Sequence, residues 1–162
     1  MFTRNGKGLT AKVVKPICVF QQVFKSLYLF GAFCPITGDH FELEMPHCNS
    51  ETFQIFLNEF SQKSPNELKI LLLDNGAFHK AKRLLIPDNI CPLFIPPYAP
   101  ELNPAEKIWW KMKRGFSGKL HKTLDNVSAF IKMQVDGLKA MQIKNTCRYD
   151  YIFSCKLWTK TY

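Results

Sequence analysis

Two periods of apolar residues run through this chain. Ile17 to Phe24 and Ser26 to Cys34 are rich in Val, Ile, Phe and Tyr, which predicts two strands. The short polar break Lys25-Ser26 between them predicts a tight antiparallel connection. Pro35-Ile36-Thr37-Gly38-Asp39 is turn chemistry. Beyond it Phe41, Leu43 and Met45 alternate with Glu42 and Glu44, the period of a strand with one face on the core. Three such strands in succession make an antiparallel meander. The period then changes. Phe53, Phe56, Leu57 and Phe60 recur at helical spacing, with Asn49 or Ser50 as the N-cap and a stop at Ser64-Pro65-Asn66.

Leu68 to Leu73 is wholly apolar and predicts a central, buried strand. His79 to Leu85 reads as a short helix and Pro87-Asp88-Asn89 as a turn. Ile90 to Ile95 is a second buried strand, weakened by Pro92. Pro96-Pro97-Tyr98-Ala99-Pro100 is stiff and extended. Asn103 then suits an N-cap and Pro104 a first helical residue. In the helix that follows, Ala105, Ile108, Trp109, Met112 and Phe116 share one face, and Lys107, Lys111 and Arg114 another. Gly115 or Gly118 ends it. A further helix is expected from about Leu124 to Ala140, with Val127, Ile131, Val135 and Leu138 as its apolar face. Residues 145–162 show no clear period. Meander, helix, strand, helix, strand, helix defines an α/β domain around a mixed sheet, in the order of an RNase H-like fold apart from its start.

At 162 residues and 46% hydrophobic content the chain fits one domain with a real core. No apolar run reaches the length of a membrane span, and the first residues are polar and basic, so we expect neither a transmembrane helix nor a signal peptide. The six cysteines (18, 34, 48, 91, 147, 155) form no Cys-x-x-Cys pair, which predicts buried free thiols in a reducing compartment, the cytoplasm. His40, His47 and His121 lack zinc-like spacing with them, so no zinc site is expected. The net charge of +9 is unevenly placed. Residues 1–106 hold 10 basic and 10 acidic side chains, whereas residues 107–162 hold 12 and 3. A field of that sign suits a polyanion, although a solvated basic face would look the same.

Asp74 ends the first buried strand, where open α/β sheets place their ligands. With Asn75 and Gly76 behind it, it could equally close the strand as an Asx-turn. Glu106 falls in the first turn of a helix, where it is pre-positioned for a cation. Asn103-x-x-Glu106 also fits a capping box. Two acids presented by rigid elements from distant places in sequence is how a divalent-metal site is built. His79 could contact phosphate or orient Asp74, or be a plain surface histidine. Trp109 is expected in the core. Trp110, one turn beyond Glu106 and near Lys113, could touch nucleic acid, with core packing the default expectation.

Leu-Leu-Leu-Asp-Asn-Gly-Ala-Phe-His-Lys (71–80) and Ile-Pro-Pro-Tyr-Ala-Pro-Glu-Leu-Asn-Pro-Ala-Glu-Lys-Ile-Trp (95–109) together resemble the DDE domain of mariner-type transposases of bacterial insertion sequences. The Pro-Pro-Tyr-to-Trp run is the most specific part. The resemblance extends over about residues 1–135. It implies an RNase H-like catalytic domain over 1–143, lacking its first strand, followed by a tail over 144–162. It implies that Asp74 is the second catalytic acid and Glu106 the third, together holding Mg²⁺ or Mn²⁺ in a two-metal site for DNA cleavage and transfer. It makes DNA the partner, contacted by Lys107, Lys111, Lys113, Arg114 and His79, with a homodimer or a full-length transposase as a further partner and no membrane. The chain departs from the family pattern in one respect. The family's first Asp lies on a strand upstream of the meander, and here nothing acidic precedes Asp39. Asp39, Glu42 and Glu44 are in the wrong elements to replace it. The family's N-terminal helix-turn-helix is also absent. The expectation is therefore a C-terminal transposase piece that is weak or inactive alone. The rival readings are a nucleic-acid-binding remnant that does not cut, another RNase H-like nuclease such as a resolvase, and an unrelated α/β domain whose acids are merely a turn and a cap.

Overall fold

The computed structural model describes residues 26–116, 119, 121 and 123–154. The expected strand Ile17 to Phe24 lies outside them. Strand β1 (Tyr28–Phe33) pairs antiparallel with β2 (His40–Met45), in register from Tyr28 opposite Met45 to Phe33 opposite His40. The turn between them is closed by the Cys34 N–H donating to the Asp39 carbonyl (2.7 Å) and the Gly38 N–H donating to the Cys34 carbonyl (2.9 Å). Gly38 is held at φ +81°, and a Cβ there would stand 2.5 Å from the Ala140 carbonyl oxygen. Both the backbone and the space demand glycine. Gly38→Ala is expected to cost about 1–3 kcal/mol through overpacking alone. Urea unfolding checks this, and an unchanged midpoint would refute it.

Helix α1 (Ser50–Lys63) starts at Asn49, whose side chain accepts from the Glu51 and Thr52 N–H groups at 3.0 and 2.9 Å. Its Phe53, Phe56 and Leu57 are buried. They pack on Phe30 and Ala32 of β1, on Phe41 and Leu43 of β2, and on Leu71 and Leu73 of β3 (Lys69–Leu73). β3 pairs parallel with β4 (Ile90–Phe94), Leu72 opposite Leu93. One antiparallel and one parallel ladder thus share a single core under α1. Among the described residues no strand pairing joins the two ladders into one sheet. Nor is β3 fully enclosed. Its second face carries Ile70, 41% exposed, beside Leu93 of β4, 52% exposed. Pro92 is tolerated because, among the described residues, β4 pairs only with β3, which leaves its other edge without a ladder to break.

Two expected helices differ. The stretch His79 to Leu85 is a 3₁₀ turn (Ala77–Lys80) followed by extended backbone at Ala81. In place of a longer helix the Leu85 backbone pairs with Gln54 of α1. The Leu85 N–H donates to Gln54 Oε1 and Gln54 Nε2 donates to the Leu85 carbonyl, both at 2.7 Å. The helix expected to reach Ala140 is divided into α3 (Leu124–Asp136) and α4 (Ala140–Thr146). Gly137 ends α3, its N–H donating to the Met133 carbonyl at 3.1 Å, and Lys139 is extended.

Helix α2 (Ala105–Phe116) packs on the opposite face of β1. Its Ile108 and Met112 form a second core with Ile131 of α3, Ile143 of α4 and Cys147, and Leu29 and Phe33 lie against it. Trp109 joins this core as expected, edge-on to Phe33 at 5.2 Å. Ile143 and Cys147 are fully buried, so the boundary drawn after residue 143 falls within a helix of the core. A short helix α5 (Asp150–Phe153) follows. No helix among the described residues is long and apolar enough to cross a membrane.

Candidate functional site

The parallel ladder aligns the C-terminal ends of β3 and β4. The Ile95 N–H donates to the Leu73 carbonyl at 2.9 Å, and Asn75 Nδ2 donates to the Ile95 carbonyl at 2.6 Å. Asp74 leaves the end of β3, and the loop leaving β4 leads to Glu106. Asp74 therefore stands at the C-terminal end of the ladder, and Glu106, 32 positions on in sequence, follows the loop that leaves the same end.

Asp74 forms the expected Asx-turn, its Oδ1 accepting from the Gly76 N–H at 2.9 Å. The turn does not use up the carboxylate, because the side chain remains 50% exposed. His79 Nδ1 stands 2.7 Å from Asp74 Oδ1 and 3.3 Å from the Asp74 carbonyl oxygen. The His79 side chain is only 11% exposed. Its ring lies 4.5 Å from that of Phe53 and 4.0 Å from that of Phe78. Of the roles open in sequence, the geometry matches orientation of Asp74. The aromatic floor fixes the ring, and the ring flanks the carboxylate.

Asn103 caps α2, its Oδ1 accepting from the Ala105 N–H at 3.1 Å. The reciprocal half of the capping box is not formed. The Asn103 N–H donates to the Pro100 carbonyl at 2.9 Å, which leaves Glu106 exposed in the first turn without a capping duty. A carboxylate there is also favoured by the positive end of the helix. Tyr98, in the loop before it, is fully exposed and held at φ 61°, an uncommon backbone region for a bulky residue.

The basic residues of α2 separate into two groups. The Lys107 ammonium lies over the Tyr149 ring at 4.2 Å, and Lys111 Nζ donates to Thr146 Oγ1 at 2.6 Å. Both face the C-terminal segment, which is fastened to the loop before α2 where the Tyr149 hydroxyl donates to the Glu101 carbonyl at 3.0 Å. Arg114 instead lies over the Trp110 ring at 4.6 Å, and Lys113 is exposed. Trp110 is not in the core, as its default expectation had it. It is 57% exposed, because Ile108, Trp109 and Met112 already fill the buried side of α2. Two of the acids weighed in the sequence, Glu42 and Glu44, have structural partners. Glu42 pairs with His40 at 2.9 Å, and burial raises its carboxyl above the usual value. Glu44 accepts from Ser128 at 2.6 Å.

Cys48 and Cys91 are exposed rather than buried as the sequence reading expected, and Cys48 is only partly desolvated and feels the charge of Asp74. Burial first, and then the negative charge of Asp74, push its thiol above the usual value of 9.0. Less thiolate is therefore present near pH 8 than in a free thiol. Asp74→Asn removes the second cause, so Cys48 alkylation should accelerate, by less than about tenfold since one pKa unit is a factor of ten in thiolate. Alkylation kinetics followed by mass spectrometry test this, and an unchanged rate counts against it.

An α/β domain of RNase H-like architecture, with one acid at the end of its parallel ladder and another in the first turn of α2, is the class of molecule these features define. The chain belongs to the DDE superfamily endonucleases, whose family model matches residues 10–128. It is 36% identical over 102 residues to uncharacterized protein y4pE/y4sA of Sinorhizobium fredii (strain NBRC 101917 / NGR234), covering 62% of this chain and 76% of that protein. Its fold matches that of the Mos1 transposase in a paired-end complex with the left transposon end, at a TM-score of 0.67 and 16% identity. The match covers 91% of this chain and 48% of the Mos1 chain, so this chain spans about half of that transposase.

Proposed function

We propose that this chain is the catalytic-domain portion of a cut-and-paste transposase, that Asp74 and Glu106 are its divalent-cation ligands, and that the site is incomplete within this chain. The observation that carries the reading concerns the acids. All 13 Asp and Glu fall among the described residues, and there no three side chains of His, Cys, Asp or Glu gather to hold a metal ion. Asp74 and Glu106 are hard oxygen donors of the type that suits Mg²⁺ or Mn²⁺. They fit part of such a site, and a third carboxylate would come from outside these 162 residues. A bound cation pair would supply charge stabilisation to a phosphodiester displacement. The chain's own residues contribute otherwise. Asp74 and Glu106 present carboxylates from rigid elements, and His79 keeps Asp74 from rotating.

DNA is the proposed substrate and partner. Support comes from the excess of basic residues after Glu106 and from the transposon-end complex of the Mos1 relative. Of the candidate DNA contacts, Lys113 is exposed and Arg114 lies over Trp110, while Lys107 and Lys111 also engage the C-terminal segment. Residues beyond these 162 or a longer transposase are the proposed source of the third acid, with a homodimer as a further proposed assembly. The free thiols of Cys34, Cys48, Cys91 and Cys147 suit a reducing setting, for which we propose the bacterial cytoplasm.

Nicking of supercoiled DNA in Mn²⁺ tests the reading. The chain alone should leave the plasmid at background, while binding DNA with an affinity that falls steeply with salt. Mn²⁺-dependent strand transfer by this chain alone, lost in Asp74→Asn, would show that the site is complete. A second reading, a nucleic-acid-binding remnant, is favoured by the same shortage of acids. It gains if DNA binds equally with and without divalent cation.

A further inference from the structure

We propose that Trp110, backed by Arg114, is a stacking platform for an unpaired nucleobase beside Glu106. The proposal rests on the nucleic-acid reading above. Trp110 is 57% exposed, on a helix whose other tryptophan is packed in the core. The exposure of Trp110 leaves a large aromatic face open to a partner. Arg114 holds its guanidinium 4.6 Å from the ring, which both fixes the indole and adds a cation to it. Trp110 follows Glu106 by four residues. Helical side chains lean toward the N-terminus, so the indole lies over the turn that carries Glu106. Lys113, one turn beyond Trp110 in the same direction as Arg114, is exposed and adds a second cation.

The occupant follows from that chemistry. A flat apolar face flanked by two cations matches a base with its phosphate, since bases stack on aromatic rings and the backbone is held by charge. A base inside a duplex cannot present its face, so the platform takes an unpaired nucleotide, as at a strand end or an opened step. This would place single-stranded DNA next to Glu106, where a strand has to leave the helix to be cut or joined.

The test uses the full chain and two fluorescein-labelled probes, an oligo-dT and a duplex of equal length, in EDTA at one salt concentration. Trp110→Ala should weaken oligo-dT binding about 5- to 150-fold, the range seen for loss of one stacked base. Trp110→Phe should recover most of the loss, and duplex binding should change by less than about twofold since phosphate contacts dominate it. The platform is overturned if Trp110→Ala leaves oligo-dT binding unchanged, or weakens both probes alike, although the transposase reading then survives. If the unaltered chain binds neither probe, the nucleic-acid reading itself fails and takes the platform with it. Circular dichroism confirms that each variant is folded, and an exposed position makes that the expected result.

Discussion

Asp74→Asn should lower Mn²⁺ affinity by on the order of a hundredfold or more, and His79→Ala by about 10- to 100-fold, the range for losing a residue that orients a ligand. The site starts weak, with an expected dissociation constant of ~10⁻⁴–10⁻³ M for so few carboxylates. Asn is chosen because its side-chain oxygen can still accept from the Gly76 N–H, a bond of 2.9 Å in the native turn. The turn is kept and only the charge is lost. Glu106→Gln should also weaken binding. It should leave α2 intact, because Asn103 caps the helix through the Ala105 N–H and Glu106 takes no part. His79→Ala separates positioning from ligation. It removes the ring 2.7 Å from Asp74 Oδ1 and leaves both carboxylates in place. Mn²⁺ titrations by electron paramagnetic resonance read all three. Unchanged binding in an Asp74→Asn, Glu106→Gln double variant would show that the acids are only a turn and a helix-end charge, the bland reading of both.

Phe53→Ala should cost about 3–5 kcal/mol of folding stability, a large share of the roughly 5–15 kcal/mol that a domain possesses. Phe53 is 1% exposed and meets Phe30, Phe56 and Phe78 at ring distances of 6.0, 6.1 and 5.8 Å. Its removal opens a cavity where α1 meets both ladders, and a rigid helix cannot close it. The same substitution should reach the candidate site, because the Phe53 ring supports His79 at 4.5 Å. Mn²⁺ affinity should therefore fall with stability, even at temperatures where the variant is fully folded. Phe60→Ala is the control. Phe60 packs on Phe41 and Phe56 at 5.6 and 5.9 Å and no ring contact links it to His79, so it should destabilise without altering cation binding. Urea midpoints and Mn²⁺ titrations distinguish the two, and equal cation affinity in both variants would break the proposed link between core and site.

Much of this was legible in the chain. Alternation at Phe41, Leu43 and Met45, helical spacing at Phe53, Phe56 and Leu57, and the Asn-Pro start before Ala105 are local signals, set by backbone geometry and by which face must be apolar. They located β1, β2, α1, β3, β4 and α2 to within about two residues, the ordinary uncertainty of element ends. The two motif runs carried the family. They also put Asp74 and Glu106 at element ends, although not at a distance from each other.

What the sequence alone determined was therefore the order of the elements, the family and the identity of the exposed acids, because each is encoded within a few neighbouring residues. Tertiary structure decided what those residues touch. Gln54 took hold of Leu85 from 31 positions away, Thr146 engaged Lys111 from 35 positions away, and Tyr149 fastened to Glu101 across 48. Phe53 and Phe78 turned an ambiguous His79 into a support for Asp74, and a filled core left Trp110 outside. The physical reason is one of range. Propensity and periodicity act over a turn or two, whereas burial and hydrogen-bond partners are settled only when distant segments compete for the same space and the same donors.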